Sequence, residues 1–95
     1  MSKQSIQERF EVFHAANPSI YDEIVYLARR AKVRGHDRIG IEICFGALRW
    51  NRLVETTGER GFKLNNDFRS RYARLIMEQE SDLARFFETR DLRTD

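Results

Sequence analysis

The sequence predicts a mainly α fold, a compact bundle of four to five helices. Three observations carry this expectation. One proline and five glycines leave few breakers, a hydrophobic content of 41% supports a core, and apolar residues recur at spacings of three and four. Ninety-five residues suffice for one modest core and are too few for two, so a single helical domain over residues 1–95 is expected, with frayed ends near 1–4 and 90–95.

The first segment, roughly residues 3 to 15, carries Ile6, Phe10 and Phe13 on one stripe. The second opens with Asn17-Pro18, an N-cap residue followed by a proline whose missing N–H costs nothing at the first helical position. Its stripe is Ile20, Ile24, Leu27, Ala28 and Ala31, widened by Tyr21 and Val25, and it ends before Gly35. RGHDRIG, residues 34 to 40, interrupts the periodicity as a connection in which Asp37 or Gly40 can cap the next helix.

The third helix runs from about Ile41 to Thr56 and is apolar over most of its circumference. It is the expected central helix, with Trp50 buried beside Ile43, Ala47 and Val54, and with Glu42, Gly46, Arg49, Asn51 and Arg52 left to face water. Gly58 and Gly61 then break the chain, and Phe62 and Leu64 alternate about Lys63. A β-hairpin near residues 57–64, or an extended arm anchored by Phe62 and Leu64, fits this stretch, and the hairpin would make the bundle winged-helix-like.

NNDFRSRYARLIMEQ starts the fourth helix, with Asn65 or Asn66 as N-cap. Phe68, Tyr72, Leu75, Ile76 and Gln79 fall on its buried side, and Ser70 and Arg74 lie opposite. Arg74 can pair with Glu78 one turn later. A last short helix from Ser81-Asp82 carries Leu83, Phe86 and Phe87 to close the core.

The net charge of +2 conceals an uneven distribution: residues 1–28 sum to −2, residues 29–74 to +7 and residues 75–95 to −3. Fourteen of the seventeen basic residues are arginine, whose planar fork suits phosphate and base edges and equally suits carboxylates within the chain. A basic middle can therefore grip an anionic partner or be neutralised by the acidic ends. The single cysteine, Cys44, excludes an internal disulfide and reads as a small buried hydrophobe. No stretch has the length of a membrane span and MSKQSIQERF lacks the apolar core of a signal peptide, so a soluble cytoplasmic protein is expected.

Motifs for chemistry are sparse. No nucleophile elbow, phosphate-binding glycine loop, zinc-protease helix or paired-carboxylate motif occurs, and His14 and His36 are the only histidines. The expectation is a non-enzymatic role without cofactor or metal. Arg29, Arg30, Lys32, Arg34 and Arg38 form a cluster suited to phosphates, and Arg49, Arg52 and Lys63 extend it. The helix opened by Asn65-Asn66 could present Asn66, Arg69, Ser70 and Arg74 to bases from its first turns. The seven-residue connection between helices two and three is longer than the turn of a helix-turn-helix.

FHAANPSIYDEIVYLARRAKVRGHDRIGIEI, then ALRW, then FKLNNDFRSRYARLIMEQESDLARFFETR resemble a family of small, mostly uncharacterised bacterial and bacteriophage or prophage proteins, over residues 10–90. The resemblance implies a mobile-element origin and a compact domain and carries over no catalytic residue. The expected function is that of a small DNA-binding protein using the basic central surface. The alternative is an accessory or inhibitor protein that docks on a host or phage protein.

Overall fold

A computed structural model describes residues 5–55 and 64–88, with the backbone alone for 53–55. Four helices dominate: α1 (Ile6–Ala16), α2 (Pro18–Val33), α3 (Ile41–Glu55) and α4 (Arg69–Gln79). The two short strands are β1 (Ile39–Gly40) and β2 (Phe87–Glu88). Single 3-10 turns at Asn66–Phe68 and Ser81–Leu83 bracket α4.

Local chemistry sets the helix ends. Ser5 and Glu8 form a reciprocal capping box: the Glu8 N–H donates to Ser5 Oγ at 3.1 Å and the Ser5 N–H donates to Glu8 Oε1 at 2.9 Å. Asn17 stands at the N-cap of α2 as expected and also closes α1, its backbone N–H and its Nδ2 both donating to Phe13 O. That leaves it no side-chain bond to the start of α2, where Pro18 needs none for its own nitrogen. At the far end of α2, the Gly35 N–H donates to Lys32 O at 3.0 Å and the His36 N–H to Ala31 O at 3.2 Å. This is a Schellman closure, and it requires the left-handed backbone of Gly35, φ 102°.

β1 and β2 pair in parallel, Ile39 opposite Phe87 and Gly40 opposite Glu88. The expected fifth helix is thus one 3-10 turn that gives way to a strand. The parallel pair joins distant parts of the chain and is not a wing; the expected hairpin falls on residues 57–63, outside the described residues, and Leu64 at its end is buried.

The core lies where the helical stripes meet: Phe10 of α1, Ile20, Ile24 and Ala28 of α2, Ile41, Cys44, Phe45 and Leu48 of α3, and Tyr72 and Ile76 of α4. Leu83, Phe86 and Phe87 complete it. Rings crowd its centre, Tyr72 standing edge-on to Phe10 at 4.8 Å and to Phe45 at 6.1 Å between centroids.

Two expectations about burial fail. Gln79 is exposed although it follows the apolar side of α4. More consequentially, Trp50 is 62% exposed and Ile43 61%. The Ile41, Cys44, Phe45 and Leu48 face of α3 enters the core, Ala47 is half-buried, and Ile43 and Trp50 stay mostly exposed among the described residues. No helix among the described residues is long and apolar enough to cross a membrane.

Candidate functional site

Many of the basic side chains that make the middle of the chain positive are held by partners within the fold. Arg29 donates from Nε and Nη2 to the two carboxylate oxygens of Asp82, at 2.9 and 3.0 Å, and from Nη2 to Glu80 Oε1 at 2.8 Å. Lys32 donates to the Asp82 carbonyl. Arg52 forks onto Glu23. Arg49 lies 5.7 Å from the Phe45 ring centroid and donates through Nη2 to Leu64 O at 2.6 Å and to Asn66 Oδ1 at 2.5 Å. Arg69 donates to Asn66 O at 3.2 Å. The acidic ends do neutralise part of the basic middle: Glu23 comes from the first acidic segment, Glu80 and Asp82 from the last.

These contacts divide the expected basic surface. Arg49, Asn66 and Arg69 gather before the first turn of α4, whereas Arg29 and Lys32 are bound just beyond its last turn, about 16 Å away along an 11-residue helix. Ser70 is half-buried, Arg74 is exposed on α4, and Lys63 lies outside the described residues. Arg34 and Arg38, exposed at the α2–α3 connection, have no carboxylate partner among the described residues, and Arg30 stacks over its own helix neighbour Tyr26 at 5.7 Å.

Beside Arg30 and Arg34 runs an open groove of about 540 Å³. Its apolar lining is Tyr21, Val25, Tyr26 and Val33, and its charged lining is Asp22, Arg29, Arg30, Arg34 and Glu80. The Tyr21 hydroxyl donates to Glu80 Oε2 at 2.9 Å, so the same carboxylate fixes both the tyrosine and Arg29. Burial, with the hydrogen bond to Glu80, pushes the Tyr21 hydroxyl well above its ordinary range, and the phenol stays protonated. Tyr26 is 60% exposed and Val33 85%. Seven residues apart, they sit on one outward line of α2, a spacing legible in the sequence that the core stripe of Ile20, Ile24 and Ala28 overshadows.

A second depression of about 530 Å³ separates α2 from α3 and is lined by Leu27, Ala31, His36, Arg38, Ile43 and Glu88 among others. It merges with the outward face of α3, where Ile43, Ala47 and Trp50 succeed one another at helical spacing.

For bond-making chemistry the described residues offer little. No group of three His, Cys, Asp or Glu among them could hold a metal. His14 stacks on Phe10 at 5.8 Å within the aromatic core, and His36 is exposed in the connection. Cys44 is buried on α3, where burial, reinforced by Glu42, pushes its thiol up to about 11, so it is a poor nucleophile at neutral pH. The fold and surface together are those of a small helical domain with apolar grooves rimmed by arginine. Compared with protein families, curated proteins and solved structures, the chain matches none.

Proposed function

We propose that the protein is a non-enzymatic binding module that docks on another protein. The α2 groove takes an acidic, apolar segment of that partner. One observation carries this: a groove lined by Tyr26 and Val33 keeps Arg30 and Arg34 on its rim without an internal carboxylate, while Arg29 and Arg52 are neutralised within the fold. Apolar anchors in a pocket supply affinity, and uncompensated rim charges select sign and speed the encounter.

Fluorescent amphipathic peptides of matched length, carrying aspartate, asparagine or lysine between leucines, test the proposal. The aspartate series should bind best, and Val33→Asp or Arg30→Glu should abolish binding without changing the thermal melt. Equal binding of the lysine series, or no binding at all, would overturn it.

A second reading, DNA binding, is favoured by Arg34 and Arg38, both exposed in the connection that also presents His36. Its measure is duplex affinity at two salt concentrations. Phosphate contacts give a steep log–log slope, which Arg34→Ala and Arg38→Ala should flatten by about one unit each.

A further inference from the structure

The outward face of α3 poses a separate problem. Ile43 and Trp50 are each more than half exposed, and between them stand Gly46 and Ala47. A Cβ built on Gly46 would meet nothing within 4 Å. No contact inside the fold therefore requires a glycine there, although a glycine in a helix interior is unfavourable relative to alanine. A helix apolar on nearly every side is normally surrounded, yet Ile43 and Trp50 of α3 stay mostly exposed among the described residues.

The order of sizes supplies the missing neighbour. Large, small, small, large at 43, 46, 47 and 50 reads the same in both directions, so the face complements itself about a two-fold axis between Gly46 and Ala47. An antiparallel pair of α3 helices on that axis sets Ile43 of each copy beside Trp50 of the other, and the bare Gly46 lets the helices approach closely.

Charge agrees with size. Glu42 and Arg49 lie seven residues apart on one flank of the stripe; the axis carries position 42 onto 51 and 49 onto 44, so each Glu42 comes within two residues, about 3 Å along the helix, of level with Arg49 of the second copy, a gap its long side chain spans. Arg49 engages Leu64 and Asn66 through one terminal nitrogen, leaving the donors on its other two nitrogens for that carboxylate. We infer that the protein associates with a second copy of itself through the Ile43–Trp50 face of α3, in an antiparallel two-fold dimer. This interface is separate from the α2 groove, and either can fail without the other.

Sedimentation equilibrium over a wide concentration range, read together with Trp50 fluorescence, tests the inference on the full chain. The mass should rise from one copy to two as concentration increases, with the tryptophan emission moving to the blue over the same range. Ile43→Glu and Trp50→Glu should each hold the protein as a monomer with an unchanged helical spectrum. Gly46→Leu, whose Cβ meets nothing in the monomer, should do the same by keeping the helices apart. Glu42→Arg and Arg49→Glu should each weaken self-association and, when mixed, restore it as a heterodimer. A monomer at every concentration, a dimer indifferent to Ile43→Glu and Trp50→Glu, or a charge-reversed pair that fails to rescue would each overturn the inference.

Discussion

Arg52 on α3 and Glu23 on α2 face each other through two side-by-side hydrogen bonds, Nη1 to Oε1 at 3.2 Å and Nη2 to Oε2. Both side chains are about three-quarters to two-thirds removed from water, at 23% and 32% exposure. The pair ties the later part of α3 to the first half of α2. A double-mutant cycle with Arg52→Leu and Glu23→Leu should return a coupling of about 1 kcal/mol, between the values for exposed and fully buried pairs. Arg52→Lys should lose most of that coupling, because a single ammonium cannot reproduce the fork. Coupling indistinguishable from zero in urea denaturation would show the contact to be incidental.

Tyr72 is wholly buried, yet its hydroxyl has no hydrogen-bond partner among the described residues. Its ring packs on Phe10, His14 and Phe45. Tyr72→Phe keeps those ring contacts and removes a buried polar group. It should leave stability unchanged or raise it by up to about 1 kcal/mol. A marked loss in chemical denaturation would reveal that the hydroxyl is bonded.

The protein should weaken in alkali. Burial pushes the Tyr72 hydroxyl up to about 12 and the Cys44 thiol up to about 11, and it lifts Tyr21 further still. Above about pH 9 the unfolded chain releases these protons while the folded chain keeps them, so the unfolded state binds fewer protons and stability falls as pH rises. Unfolding midpoints measured from pH 8 upward should therefore decline, and Cys44→Ala should make the first part of the decline shallower. A flat profile would contradict the burial of these groups.

Trp50 and Phe45 lie on opposite sides of one helix and should respond differently to truncation. In dilute protein, Trp50→Ala should change stability by no more than about 0.5 kcal/mol. Phe45→Ala, which empties the centre of the core, should cost about 3 to 5 kcal/mol. Thermal melts of the two variants decide it, and a costly Trp50→Ala would place the indole against the fold.

The spacing of apolar residues is enough to find four helices and the side that each turns inward. Ile20, Ile24 and Ala28, or Phe68, Tyr72 and Ile76, share a face for reasons of helical geometry alone. Even the capping box at Ser5 and Glu8 is legible as a serine with a glutamate three residues later. Periodicity does not state which faces acquire a neighbour, and Trp50 illustrates the gap: its helix is apolar nearly all round, and only packing decides which part is covered. Charge behaves similarly. Arg29 and Arg52 look like candidates for phosphate until Asp82 and Glu23 arrive from 53 and 29 residues away, distances over which local sequence carries no signal. The pairing of Ile39 with Phe87 is hidden for the same reason, and two-residue strands have no alternation to detect.

That last pairing also bears on how the chain matures. β2 supplies Phe87 to the core, with Phe86 against it edge-on at 5.8 Å, and it reaches β1 only after α3 and α4 have been laid down between them. A nascent chain emerging from the ribosome as far as Leu83 would own all four helices but lack the two rings that complete their burial. Burial of those helical faces is complete only with Phe86 and Phe87 in place, so closing the interior depends on the part of the described chain that is synthesised last.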